Sequence, residues 1–127
     1  NFTGVKELFL ALKRGEVIAM AADQVPAKDM GVYEDFFGRK AYTTNLIPSL
    51  HSKTKAPIVS VAIHSDTLTN RLYIRYGSKN TYKKGLPYDA KAMNKEIEKI
   101  ININPEDYNW EYKRFKKQQV KDKNIYK

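Results

Sequence analysis

Residues 4–24 read GVKELFLALKRGEVIAMAADQ, and this stretch decides the fold class. Val5, Leu8, Phe9 and Leu12 recur at i, i+3, i+4 and i+7, the stripe of an amphipathic helix, with Thr3 placed to cap it. Gly15, directly after Lys13-Arg14, is a helix stop, because glycine takes up the left-handed conformation that ends a helix. The run Glu16–Ala22 then changes period. It is short, apolar and carries the β-branched pair Val17-Ile18, so it reads as a buried strand closed by Asp23-Gln24. A helix feeding straight into a buried strand is an α/β signature.

The rest of the chain fits that class. Residues 23–42 contain Pro26, Gly31 and Gly38 and read as a loop, with Val32–Phe37 able to pair briefly as a strand. Residues 43–55 read as a second helix, capped by Thr43 or Thr44 and carrying Leu46, Ile47 and Leu50 on one face. Pro57 sets the entry to a second buried strand, Ile58–Ile63, and Arg71–Tyr76 alternates as a half-exposed strand. Asp89–Ile101 is a third helix with Met93, Ile97, Ile100 and Ile101 on one face. Asn104-Pro105-Glu106-Asp107 has the cap, proline and acids that open a fourth. The expectation is an α/β fold with a partial mixed sheet of three or four strands packed by helices, part of a larger sheet rather than a complete one.

Composition narrows the chemistry. With 127 residues, 42% hydrophobic, the chain can bury one core. It has no cysteine, so disulfides and thiolate metal sites are excluded, and the reading calls for no metal and no cofactor. No apolar run approaches the ~20 residues that span a bilayer. The net charge is +9, and residues 113–127 hold Lys113, Arg114, Lys116, Lys117, Lys121, Lys123 and Lys127 against the single acid Asp122. Such a tail suits an anionic partner (phospholipid headgroup, phosphorylated glycolipid, acidic carrier protein or nucleic acid) or is a solvated end. A Gly-rich phosphate cradle and the aromatic-basic strand pattern of RNA-binding sheets are both missing, so nucleic acid is the weakest of these.

Four ordered stretches carry a resemblance. They are Gly4–Val17 running into Asp23-Gln24; Gly31-Val32-Tyr33-Glu34-Asp35-Phe36-Phe37-Gly38 followed by Ala41 and Thr43-Thr44; Ala56–Val61; and Asn104–Trp110 followed by Arg114-Phe115-Lys116. Together they resemble the lauroyl/myristoyl acyltransferases of lipid A biosynthesis, within the lysophospholipid acyltransferase superfamily. The resemblance implies that residues 1–117 are the C-terminal part of the acyltransferase domain and residues 118–127 a basic, disordered tail. It implies an enzyme of lipopolysaccharide biosynthesis on the cytoplasmic face of the inner membrane, of which this part alone is soluble. That enzyme moves a fatty acyl group from acyl carrier protein to a hydroxyl of an acylated, phosphorylated lipid A precursor. The alternative from another class is a non-enzymatic basic α/β module that binds anionic lipid or nucleic acid.

In such families a histidine with an acid five positions later acts as general base on the acceptor hydroxyl. Here His51 is followed at that spacing by Ala56, and His64 by Thr69. Both histidines therefore read as structural or surface residues, His51 on a polar helix face and His64 at a strand end. The catalytic pair is expected upstream, and the chain alone is expected to be inactive. Two departures bear on specificity: the family often has His at the position of Tyr112, and a small apolar residue plus Pro in place of Arg39-Lys40.

The substrate-binding candidates are Asp23, Gln24, Phe36, Phe37, Gly38, Arg39 and Lys40. Asp23 either orders the site with Gln24 or caps its own turn. Phe36 and Phe37 beside Gly38 either line an acyl-chain channel or, for at least one of them, fill the core. Arg39 and Lys40 meet a phosphate or the carrier protein, or are solvated. Trp110, Lys113, Arg114, Lys116 and Lys117, with Tyr108 and Tyr112, form a pattern suited to a membrane surface or carrier protein, unless one face packs inward. The part represented here is also expected to self-associate through the apolar face left by a missing half.

Overall fold

A computed structural model of the chain describes residues 2–77, 87–119 and 125–126. The order is α1 (Phe2–Lys13), β1 (Gly31–Phe36), β2 (Arg39–Thr44), α2 (Leu46–Thr54), β3 (Val61–Asp66), β4 (Arg71–Tyr76), α3 (Ala90–Ile101) and a 3-10 turn (Pro105–Asp107). The fold is α/β. Its four strands form two separate antiparallel pairs, β1–β2 and β3–β4, rather than one sheet.

Helix α1 ends as its sequence dictates. Gly15 sits at φ +82, its N–H bonds to Leu12 O at 3.1 Å, and Glu16 N–H reaches back to Ala11 O at 3.0 Å. These are the two bonds of a Schellman cap. A Cβ on Gly15 would touch nothing, so only the positive φ selects glycine there. Gly15→Ala is therefore expected to cost about 1 kcal/mol, the strain of a left-handed alanine, read by urea unfolding. The start of α1 differs from the sequence reading: the helix runs through Thr3 to Phe2, which puts Thr3 inside the first turn and not at the cap.

The run 16–22 is not a strand. No described strand lies beside it, and Val17 is 96% exposed. Apolar content alone does not make a strand; a neighbouring backbone must supply the ladder.

The loop expected over 23–42 is largely a hairpin. Strands β1 and β2 pair from Gly31↔Thr44 to Phe36↔Arg39 across the two-residue turn Phe37-Gly38, whose φ angles of 48 and 74 suit the tight turns that right-twisted hairpins favour. Alternation puts Phe36, Ala41 and Thr43 on one face, all fully buried against α3. At the other end a Cβ on Gly31 would lie 2.6 Å from Thr43 O and 2.7 Å from Pro26 Cγ. Only glycine lets the loop close on β2, and Gly31→Ala is expected to cost more than Gly15→Ala in the same unfolding assay.

Helix α2 begins at Leu46, later than expected, because Thr43 is committed to β2. Thr44 does help the helix start, accepting Leu46 N–H at 3.2 Å, while Asn45 stands at the cap position without a side-chain bond.

Strand β3 occupies Val61–Asp66, not Ile58–Ile63, and is not buried as a whole; every residue of β4 is exposed. With two strands and no second layer over it among the described residues, this sheet buries only part of one face.

Helix α3 matches its sequence reading closely. Asp89 caps it, its carboxylate accepting Ala92 N–H at 2.8 Å, and Met93, Asn94, Ile100 and Ile101 face inward. Phe36, Ala41 and Ile101 centre the core, with Ile97, Tyr108 and Phe115 packed around them. Buried Asn94 ties helix to hairpin, donating to Asp35 O at 2.9 Å and Thr43 Oγ1 at 3.0 Å.

The fourth helix stops after one 3-10 turn. Asn104 does not cap it; its amide goes to the Asp107 carboxylate at 2.7 Å. Asp107 in turn accepts the Ser65 N–H at 2.7 Å and the Ser65 hydroxyl at 2.5 Å. Trp110 Nε1 donates to Pro105 O at 2.7 Å, and Tyr108 is already extended. The carboxylate that would favour a first helical turn is spent on holding β3.

Candidate functional site

The site is built from the loop 23–26, the hairpin turn Phe37-Gly38, and the segment 108–118 laid across both. Arg114 is its hub. It is 2% exposed, donates from Nη1 to Tyr42 O at 2.8 Å and from Nη2 to Thr43 Oγ1 at 2.9 Å, and stacks 5.1 Å from the Phe36 ring centre. A planar guanidinium suits this combination of fork and stack. Burial lowers its pKa, opposed by nearby Tyr108 and Asp23. Arg114 was grouped by sequence with the surface cations; the structure places it inside, where it meets no external partner.

Asp23 lies beside this hub. Its negative charge adds to the burial that pushes the Tyr108 hydroxyl well above the ordinary tyrosine value. The Tyr108 hydroxyl interacts with the Asp23 side chain, while Arg114 Nε has no hydrogen-bond partner among the described residues. The loop that carries Asp23 is pinned by Tyr112, whose hydroxyl accepts Val25 N–H at 2.7 Å, and by Lys117, which donates to Pro26 O at 2.5 Å. Lys117 also lies 4.8 Å over the Tyr42 ring, so its charge is turned inward. Gln24 is exposed.

The hairpin turn is joined to Asp23 through aromatics. Phe37 packs at 6.0 Å on Trp110, which meets Tyr108 edge-on at 4.8 Å. Phe37 holds a positive φ that a bulky residue rarely adopts, and Glu98 Oε1 steadies it by accepting its N–H at 2.9 Å. Of the paired phenylalanines, Phe36 is core and Phe37 is exposed. Arg39 is exposed, and Lys40 pairs with Asp35 at 3.0 Å across the strands. Trp110 is 57% exposed, while Lys113 and Lys116 are exposed and lie over the Tyr126 and Tyr112 rings at 6.0 and 5.0 Å. The remaining tail residues Lys121, Asp122, Lys123 and Lys127 lie outside the described residues. The site thus presents Phe37, Trp110 and Arg39 to solvent over a brace of buried Arg114 and half-buried Tyr108 and Asp23.

Neither histidine joins it. His51 Nδ1 lies 2.8 Å from Ala56 O, which ties the end of α2. His64 is buried within β3, not a surface residue at its end; Nδ1 lies 3.5 Å from Asp107 Oδ2, and Nε2 has no partner. An acid does stand beside His64, but it arrives from the 3-10 turn, and the imidazole opens neither on the cleft between α1 and α2 nor on the one along α1. The hydroxyl and backbone N–H of Ser65 hold the Asp107 carboxylate below its usual pKa, with His64 adding to this. A carboxylate whose folded pKa is depressed stabilises above its unfolded pKa and loses that contribution as pH falls through the folded one. Acidification from neutral to about pH 3 is therefore expected to lower the protection factor of the Ser65 amide, its exchange compared with that of an unfolded chain at the same pH, more than that of Asn94.

Sequence reasoning missed Arg114 as a brace, and with it Glu98 and Asn94. A cation in a basic run carries no mark of burial. Asn94 and Glu98 did carry one, lying at helical spacing on the apolar side of α3.

The model of the bacterial lipid A biosynthesis acyltransferase family matches residues 2–117, so the chain belongs to that family. It is 32% identical over 123 residues to the lipid A biosynthesis palmitoleoyltransferase of Escherichia coli K12, covering 91% of this chain and 39% of that protein. The lipid A biosynthesis acyltransferase of Shigella flexneri matches with the same figures. The chain thus spans well under half the length of these relatives. No helix among the described residues is long and apolar enough to cross a membrane.

Proposed function

We propose that this chain supplies the substrate-facing, non-catalytic part of an enzyme that moves a fatty acyl group from acyl carrier protein to a hydroxyl of an acylated, phosphorylated lipid A precursor at the cytoplasmic face of the inner membrane. The observation that carries this is the coincidence of the family match with the loop 23–44, whose Asp23 is held beside Tyr108 and Arg114. Neither histidine has an acid at the spacing of the general base, so this part positions and does not activate the hydroxyl.

In this reading Phe37 and Trp110 meet acyl chain or bilayer interface, and Arg39, Lys113 and Lys116 meet phosphate or the acidic carrier. The test is a full-length chimera in which residues 2–117 replace the matched region of the Escherichia coli palmitoleoyltransferase. Asp23→Ala is expected to lower acyl transfer about 100-fold with a smaller change in KM. Arg39→Ala is expected to raise KM for the phosphorylated acceptor, with kcat little changed. Unaltered transfer in Asp23→Ala removes the loop from the site.

A further inference from the structure

The β3–β4 hairpin is folded with its apolar side outward. Antiparallel register places Val61 opposite Tyr76 and Ile63 opposite Ile74, and alternation adds Leu72 to the same face. All five are more than half exposed. The opposite face carries Ala62, His64, Asp66, Arg71, Tyr73 and Arg75. A free-standing two-stranded sheet that shows one face to water normally shows its polar one. Here the apolar face is open as well as the polar residues of β4, and the hairpin is held at its tip. At the tip, Asp107 holds Ser65 and lies beside His64. At the base, Gly77 N–H bonds to Ser60 O at 2.6 Å and closes the hairpin, and a Cβ at Gly77 would crowd Ser60, whose Cβ would lie 3.0 Å away.

We propose that this outward face is the docking surface for the portion of a lipid A acyltransferase that lies outside the matched region. The proposal rests on the family membership and extends the reading above. The occupant follows from size and chemistry. The relatives carry more than half their length beyond the matched region. In an α/β domain that extra chain must cover the sheet faces, with helices or further strands. A lipid surface fits less well. Interfacial binders carry basic groups beside their apolar face, and Arg71 and Arg75 belong to the other side of this sheet. A patch of this kind, set on a rigid mount, is an interface awaiting its partner.

The experiment places Ile63→Lys and, separately, Ile74→Glu in two contexts: the chain as it stands, and the full-length chimera. Melting temperature and oligomeric state are read in each. In the isolated chain both variants are expected to melt within about 2 °C of the parent, since the changed side chains are solvated. In the chimera each is expected to lower the melting temperature by about 10 °C, because a charge is forced into a closed apolar contact. Leu72→Gln, a milder change on the same face, is expected to show the same pattern at reduced size.

No effect in the chimera means the face stays in water and overturns the proposal. Equal losses in both contexts mean that the face packs within this chain, and also overturn it. So does an isolated parent chain that is a dimer while its variants are monomers, which makes a second copy the occupant. A chimera that is destabilised as expected but transfers no acyl group, even as the parent, refutes the acyl-transfer reading and leaves the docking surface standing.

Discussion

Arg114→Ala is expected to destabilise the chain by about 3 kcal/mol, and to loosen the Asp23 loop as it does so. The argument runs from its two bonds. Tyr42 O loses its Nη1 donor and Thr43 Oγ1 its Nη2 donor, inside a site with little access to water. The Phe36 ring loses the guanidinium stacked on it. Tyr108 and Asp23 lose the cation between them, so the Tyr108 hydroxyl is pushed still further upward. Arg114→Lys keeps the charge but not the fork, and recovers less than half of the loss. Urea unfolding measures the stability. Amide exchange at Val25, whose N–H is held by Tyr112 two residues before Arg114, measures the loop. A surface arginine would give a change within about 0.5 kcal/mol, which is the result that contradicts the brace.

Phe36→Ala is expected to be the costliest single change, at about 3–5 kcal/mol, while Phe37→Ala costs less than about 1 kcal/mol. The two rings touch at 4.9 Å, yet only one is core. Phe36 is 1% exposed and packs against Phe115 at 6.1 Å and under Arg114, so its loss leaves a cavity with rigid walls. Phe37 packs on Trp110 at the surface. In the chimera the order reverses for function: Phe37→Ala lowers acyl transfer without lowering stability. Equal stability losses from the two substitutions would show that both rings are structural.

How far the sequence reached depends on where each element finds its partners. Helix α3 was legible in full because its signals are local: an aspartate cap, helical spacing and a charged outer face. The Schellman end of α1 was legible for the same reason, since Gly15 needs only its own φ. The hairpin was legible only in its first strand, read over Val32–Phe37 and found at Gly31–Phe36; its turn and partner strand were not. Phe37-Gly38 lacks the Asn-Gly or Asp-Gly pair that announces such a turn, and the cost of a left-handed phenylalanine is met by Glu98, far along the chain. The run Glu16–Ala22 misled in the opposite way, having strand composition but no strand beside it. Asn104–Asp107 has every local sign of a helix start, and the contact that diverts it comes from Ser65.

The candidate site shows the same division. Asp23 and the stretch Phe36-Phe37-Gly38 were singled out as candidates by their residue types. What braces them was not, because charge counting gives buried Arg114 and inward-turned Lys117 the same weight as exposed Lys113 and Lys116. The aromatic row Tyr108, Trp110 and Phe37, which joins the two halves of the site, depends on Tyr108 leaving helical geometry. That departure in turn depends on Asp107 holding β3.

The most direct measurement is acyl transfer from acyl-loaded carrier protein to an acylated, phosphorylated lipid A precursor, run in parallel on the chain as it stands and on the full-length chimera. The predicted result is no transfer by the chain, and transfer by the chimera that falls sharply with Asp23→Ala. Transfer by the chain itself would contradict the account, since neither His51 nor His64 is placed to supply the base. A stable chimera that binds the precursor and transfers nothing would contradict it equally.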